Sequence, residues 1–249
     1  MVLLEVCTDS YERGVEAFEK RSLQTRLELC SDLQHEGFTP EDDLIEDFLG
    51  VEATSPTRII NVMIRPRDTA CVDMIQSFCY SRSDVEEMKQ QIRHIKSIIN
   101  KFNGRKSMYR IGGFVIGCLC VDGESVSIDE QAVEELIQTI REDDPSYSIT
   151  FHKAFDLVTN PMESLKFLHS KAINRVLTSL CFAQKDLKGK VVDAIRSGSK
   201  TLCKFLECAK SSQITLLLGG GVREHNAQEI VFFFQDKEIP FELHSSTSF

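Results

Sequence analysis

The chain has 249 residues, a formal net charge of −9 and a hydrophobic fraction of 42%. That length fits one barrel domain or two small domains, and the apolar fraction is enough for one sizeable core. The acidic balance argues against a nucleic-acid partner, because such a surface normally needs a basic face.

Eight short apolar runs follow one another along the chain, with amphipathic helical stretches between them. The predicted strands are residues 3–7, 27–30, 60–65, 113–117, 148–152, 175–179, 214–219 and 241–244. Several are apolar on both faces, as strands of a helix-covered parallel sheet are. A β-then-α unit repeated eight times predicts an α/β fold, a single (β/α)8 TIM-type barrel domain over residues 1–249.

Helix signals fall between these runs. A helix is predicted over residues 9–20, and another after Thr39 and Pro40, which read as an N-cap and a first helical residue. Ser83 and Glu86 form a predicted capping box at the start of a long helix. The remaining predicted helices start near Asp129, Asn160 and Glu224. Residues 70–80 and 188–201 read as insertions in the connections.

The eighth run is followed by residues 245–249 alone, which are too few for a covering helix. The sequence therefore predicts a barrel whose last helix is missing. Leu4, Val6 and Leu243 would then be open to water on the outer faces of the first and last strands. An uncovered apolar patch of this kind predicts a homo-oligomer or a barrel of low stability.

Charged side chains recur at alternate positions near the strand ends, and alternation puts them on one face. The residues expected to converge at one mouth are Glu5, Glu28, Arg65, His152, Glu242 and His244. Arg65 is the expected nearest cation of Glu5 and Glu28. Because buried charges need partners, the same residues could form a structural ion-pair layer, but their clustering at strand C-termini favours a ligand site.

Cys7 and Cys30 are the most specific candidate metal ligands in the sequence. Consecutive strands of a parallel barrel lie about 4.8 Å apart, so two thiols at matching heights could meet one ion. Two thiolates suit a soft metal, above all Cu(I), and they lack the four ligands of a structural zinc site. Spacing alone leaves open the alternative that both are ordinary buried core cysteines.

The nine cysteines also bear on the compartment. The N-terminal MVLLEVC lacks the basic region of a signal peptide, and Glu5 interrupts its apolar run. No apolar stretch approaches the roughly 18–20 residues that span a bilayer, so no membrane partner is expected. The protein is therefore expected in the reducing cytoplasm with free thiols.

A triple glycine follows the seventh predicted strand and precedes a helix. Backbone N–H groups around Gly220 could approach an anion at the helix N-terminus, and barrels often bind phosphate after strands seven and eight. A tight strand-to-helix turn explains the glycines equally well.

Short motifs across nearly the whole chain match one known family. They are EVCTDS at 5–10, RLELCS at 26–31, EGFTP at 36–40, MIRPR at 63–67, GFVIG at 113–117, TFHKAFD at 150–156, RVLTS at 175–179 and FELHS at 241–245. In this order they resemble the CutC copper homeostasis family. The resemblance implies a TIM-type barrel, a cytoplasmic protein with a role in copper handling, and Cu(I) bound by two cysteines, which fall on Cys7 and Cys30. Lys153 departs from the family, which has an arginine there, and a lysine loses bidentate anion binding.

Two functions remain open at this point. The first is a cytoplasmic copper homeostasis protein that binds Cu(I) through Cys7 and Cys30. The alternative is a TIM-barrel enzyme acting on a small anionic metabolite, whether phosphorylated or not. Its anion would be bound by Arg65, Arg67 and Lys153, protons would be transferred by His152 or Glu28, and the glycines would contact a phosphate group. The resemblance supplies no reaction, so binding is favoured over catalysis. The candidate pocket residues are Glu5, Glu28, Arg65, Arg67, His152, Lys153, Asp156, Ser179, Gly220 and His244.

Overall fold

The computed structural model describes residues 2–20, 25–53, 57–66 and 73–246. Its main sheet is a closed barrel of eight parallel strands. In chain order the strands are β1 Leu4–Thr8, β2 Thr25–Leu29, β3 Arg58–Met63, β4 Tyr109–Ile116, β5 Leu119–Asp122, β6 Ser125–Ile128, β7 Ser148–Phe151, β8 Arg175–Thr178, β9 Thr215–Leu218 and β10 Phe241–Ser246. All but β5 and β6 belong to the barrel, and β10 pairs with β1 to close it. The predicted (β/α)8 TIM-type fold is confirmed.

Eight α-helices lie in the described part of the chain. They are α1 Tyr11–Glu19, α2 Asp42–Leu49, α3 Arg82–Lys101, α4 Glu130–Arg141, α5 Pro161–Ser170, α6 Val191–Ser197, α7 Lys200–Ser212 and α8 Glu224–Phe234. Two of them, α6 and α7, connect β8 to β9 where the sequence suggested an insertion. Gly198 ends α6 in the left-handed region (φ 54°), and the Ser199 side chain caps α7. None of the described helices is long and apolar enough to cross a membrane.

The helix starts are partly as predicted. Asp129 and Asn160 cap α4 and α5 as expected. The N-cap of α3 is Ser81 and not Ser83, since Ser81 forms the reciprocal capping box with Asp84. Thr39 caps no helix: its hydroxyl hydrogen bonds with the Arg65 backbone and with Gln91, and α2 begins only at Asp42.

A β-hairpin that the sequence reading missed follows β4. Strands β5 and β6 pair antiparallel, and Gly123 (φ 60°) lies in the turn that joins them. They form a separate two-stranded sheet beside the barrel. The hairpin is inserted between β4 and α4, so the alternation of barrel strands and helices continues after it.

The seam between β10 and β1 is covered, contrary to expectation. Val6 is 1% exposed and Leu243 6% exposed, and both belong to the main hydrophobic core, against which Leu4 is partly buried. Phe234 of α8 lies in the same core, and its ring centre is 5.2 Å from that of Phe241. The expected uncovered patch is wrong for Val6 and Leu243, which removes the argument for association through this seam.

Candidate functional site

An ion-pair layer crosses the inside of the barrel. Arg26 donates from Nε to Glu5 Oε2 (2.5 Å) and from a terminal nitrogen to Glu242 Oε2 (2.6 Å). Arg175 donates to the same Glu242 oxygen at 2.9 Å, and Asn61 donates to Glu5 at 2.9 Å. Burial acts to raise the pKa of Glu5, but the charges of Arg26 and His244 outweigh it and hold that pKa below its usual value. Glu5 and Glu242 thus belong to a structural layer, the alternative that the sequence left open.

Sulfur side chains meet nearer the C-terminal ends of the strands. The Sγ atoms of Cys7 and Cys30 are 3.2 Å apart. Both pack with Met63 and Val115 in a small cluster separate from the main core. In the β2–β3 register Leu29 lies beside Val62, so the next residues, Cys30 and Met63, are level. The sulfur cluster of Cys7, Cys30 and Met63 therefore draws one side chain from each of three neighbouring strand ends.

A loop after β2 closes over the sulfur cluster. Leu33 of this loop packs against the cluster, and an antiparallel bridge between Ser31 and Phe38 closes the loop. A Cβ atom on Gly37 would lie 3.2 Å from Cys30 Cβ and 3.6 Å from Met63 Cε, and Gly37 has a φ of 82°. Both the tight approach and the left-handed backbone favour glycine there.

Arg65 stabilises that loop and does not serve as the cation of the acids. Its guanidinium lies between the rings of Phe38 and Phe78, 4.6 and 4.3 Å from their centres. It donates hydrogen bonds to the carbonyl oxygens of His35 (2.7 Å) and Gly37 (3.0 Å). Among the described residues Glu5 pairs with Arg26 and Glu28 with His244, so the expected pairing with Arg65 is wrong. Arg67, also a candidate, lies outside the described residues.

Two further donor atoms lie beside the Cys7 thiol. A sulfur of Cys7, a carboxylate oxygen of Glu28 and a ring nitrogen of His244 lie within 4.8 Å of one another, the arrangement expected of metal ligands. Glu28 Oε2 and His244 Nε2 are 3.3 Å apart, and neither has a hydrogen-bond partner in the described ranges. The two atoms form an ion pair with each other, and a metal bound between them would replace that contact.

The surroundings of Cys7 favour the protonated form of its thiol. The hydrogen bond with Cys30, burial and the nearby carboxylates of Glu28 and Glu5 raise the pKa of Cys7 well above its usual value. Burial acts to lower the pKa of His244, but the contact with Glu28 outweighs it and raises that pKa. Without a metal the Cys7 thiol therefore carries its proton, and a bound metal would displace it.

A cavity of about 230 Å³ opens onto this cluster from the mouth of the barrel. Cys7, Glu28 and His244 line one part of it. Lys153, Gly220 and Arg223 are among the residues that line the rest. The cavity thus brings possible metal ligands and cationic groups into one space.

His152 also lines the cavity, in a neutral form. Burial, with the charges of Arg65 and Lys153, lowers its pKa well below the usual value. Its Nδ1 accepts a hydrogen bond from the Ala154 backbone (3.1 Å), which places the ring proton on Nε2. The ring stacks on Phe78 with centres 5.0 Å apart. His152 is thereby a fixed hydrogen-bond donor and a poor base.

Asp156 and Ser179 lie outside the cavity lining and support one of its walls. The Asp156 carboxylate accepts hydrogen bonds from the Thr178 and Ser179 hydroxyls (both 2.5 Å) and from the Ser179 backbone (2.9 Å). Burial raises the pKa of Asp156 to about 6. A Cβ atom on Gly220 (φ 87°) would lie 2.8 Å from Ser179 Cβ and 2.4 Å from the Gly189 carbonyl oxygen. The Asp156 network therefore positions the glycine turn against β8.

Comparison with known proteins decides the family. The CutC family model matches residues 2–247 of the chain. The chain belongs to the CutC family. A human CutC relative, named copper homeostasis protein cutC homolog, is 33% identical over 229 residues, which cover 92% of this chain and 68% of the human one. A Dictyostelium discoideum protein of the same name is 28% identical over 249 residues, covering 92% and 78% of the two chains.

A solved CutC structure shares the fold. The CutC structure from Streptococcus agalactiae superposes with a TM-score of 0.68 at 21% sequence identity, covering 99% of each chain. Because the identity is low, this likeness supports the barrel and not the details of the site.

Proposed function

We propose that this chain is a copper homeostasis protein that binds Cu(I) at the sulfur cluster. The observation that carries the proposal is the meeting of two thiols, 3.2 Å apart, with a methionine in one buried cluster. Soft thiolate and thioether ligands select Cu(I). The names of the relatives point to the same metal. Free thiols in such a site fit a reducing cytoplasm, which we propose as its location.

The spacing of the thiols favours more than two ligands. With metal–sulfur bonds of about 2.3 Å, as for zinc thiolates, two sulfurs on a linear ion would be about 4.6 Å apart. At 3.2 Å the Cys7 and Cys30 sulfurs would hold an ion in a bent arrangement. A bent arrangement leaves one side of the ion open to a third ligand. Met63 is the soft candidate, and Glu28 and His244 are the harder ones.

Native mass spectrometry tests the proposal directly. Protein purified without oxygen from copper-fed cells should carry one copper ion, and the Cys7→Ser/Cys30→Ser double variant should carry none. Copper bound equally to both proteins would contradict the proposed site.

A second candidate function is the binding of a small anionic metabolite in the same cavity. Lys153 is buried, lines the cavity and donates to the Leu187 carbonyl oxygen. His152 offers an N–H donor beside it, and Gly220 adds backbone at the turn before α8. These groups suit an anion, but the low pKa of His152 makes it a poor general base. A metabolite found in the same mass spectra, in place of copper, would favour this second function.

A further inference from the structure

We propose that copper reaches the sulfur cluster as a complex with a small amino-acid or peptide thiol, whose carboxylates bind the cationic part of the cavity. This proposal rests on the proposed function, in which Cys7 and Cys30 bind Cu(I). It adds a ligand class and an entry route that the sulfur cluster alone does not specify.

The two thiols differ in their access to the cavity. Cys7 lines it, whereas Cys30 is fully buried beneath Gly37 and the loop that closes over the cluster. Copper that enters through the cavity therefore meets Cys7 first and Cys30 second. Glu28 and His244 lie beside Cys7.

Lys153 is the cavity residue whose charge an anionic ligand would neutralise. It is only 9% exposed, and its ammonium donates to the Leu187 carbonyl oxygen. No described carboxylate lies within ion-pair distance of it, although a buried cation is costly without a counter-ion. Lys153 lines the cavity that Cys7 also lines, so an anionic group bound there would lie in the same space as the entry thiol.

The surroundings of Lys153 extend the anion site. Arg223 lines the same cavity, and Gly220 and Gly221 have left-handed backbone just before α8. The positive end of this helix favours negative charge. Glu36 also lines the cavity, and its carboxylate would accept hydrogen bonds from an ammonium group of the ligand. A ligand that carries both carboxylate and ammonium groups complements the cationic side chains and Glu36 together. Free phosphate complements only the cationic side chains.

The transfer of copper from the carrier to the cysteines is a ligand exchange that needs no oxidant. Cu(I) in a reducing compartment is held by thiolates, so the incoming species is an ion bound by two carrier thiolates. The Cys7 sulfur forms a bond to copper as one carrier sulfur leaves, and the Cys30 sulfur then replaces the other. Each cysteine gives its proton to a departing carrier thiolate, and copper remains Cu(I).

Stopped-flow transfer of copper from two carriers tests the proposal. The probes are Cu(I)–glutathione, which carries carboxylate and ammonium groups, and Cu(I)–2-mercaptoethanol, which carries neither. In the wild-type protein, glutathione should deliver copper faster. Lys153→Met should slow the glutathione reaction about tenfold, the effect of losing one charge-assisted hydrogen bond, and leave the mercaptoethanol reaction unchanged. Lys204→Met, on the exposed face of α7, is the matched control and should change neither.

A second measurement needs no variant. Inorganic phosphate, at ionic strength matched with chloride, should slow transfer from glutathione and not from mercaptoethanol. The proposal is overturned if the two carriers respond alike to Lys153→Met, or if phosphate leaves the glutathione reaction unchanged. Copper binding that survives loss of Cys7 and Cys30 would instead contradict the proposed function, so the two failures are distinguishable.

Discussion

Cys7 and Cys30 are separated by 23 positions in the chain, yet their sulfur atoms lie 3.2 Å apart inside the barrel. The contact follows from parallel pairing of β1 with β2, in which Cys7 lies level with Glu28. The Cys30 backbone N–H, one residue past the end of β2, then donates to the carbonyl oxygen of Thr8, the last residue of β1, at 3.0 Å. The thiols are thus placed by rigid strand ends, and an ion between them would need little rearrangement of the backbone.

Replacement of either thiol should weaken Cu(I) binding strongly. Cys7→Ser or Cys30→Ser removes one of the two thiolates, and a serine hydroxyl is a hard, neutral and poor ligand for Cu(I). Competition with a colorimetric Cu(I) chelator measures the affinity. Cys203→Ser, at an exposed position on α7, is the control and should bind as the wild type does. A double variant that competes as well as the wild type would remove the sulfur cluster as the copper site.

Met63→Leu tests whether the thioether is a third ligand. The substitution nearly conserves volume, so the change in stability should stay below about 1.5 kcal/mol, while the soft sulfur is lost. We expect Cu(I) affinity to fall about tenfold, equivalent to about 1.4 kcal/mol. X-ray absorption should report three sulfur neighbours around copper in the wild type and two in the variant. Met88→Leu, equally buried on α3 in the main core, controls for packing and should leave both measurements unchanged.

The sequence predicted the barrel and the thiol pair because both follow from periodicity. It missed Arg26 for a definable reason: the predicted second strand began at Leu27, one residue after it. Arg26 alternates with Glu28 and so shares its face, and one residue more at the start of that strand would have included the main partner of Glu5. The role of Arg65 could not be read in this way, because its partners come from loops that only the tertiary fold brings together.

Loss of Arg26 should destabilise the fold far more than loss of a surface arginine. Arg26→Leu leaves the buried Glu5 without its nearest cation, and breaking a buried pair of this kind costs about 3–5 kcal/mol. Arg196→Leu removes the exposed ion pair with Glu229 and should change stability by only about 0–1 kcal/mol. Chemical denaturation of both variants gives the comparison. Equal stabilities would mean that the interior layer is not the ion-pair network that its distances indicate.

Asp156 should make stability depend on pH. Burial raises its pKa from 3.8 to about 6 in the folded protein, so the folded state binds a proton more readily than the unfolded chain. The contribution of Asp156 to stability is therefore present below the unfolded value and is lost as the pH rises towards about 6. The difference of about two pKa units corresponds to about 3 kcal/mol.

Asp156→Asn isolates this contribution, because asparagine cannot ionise and can still accept the backbone hydrogen bond of Ser179. The free energy of unfolding of the wild type, relative to that of the variant, should fall by up to about 3 kcal/mol between about pH 4 and pH 7. Denaturation curves at several pH values measure it. Asp236→Asn, at an exposed position after α8, should show no such slope. A constant difference between wild type and the Asp156 variant across this range would mean that the buried carboxyl does not titrate there, and that its three hydrogen-bond donors hold it ionised throughout.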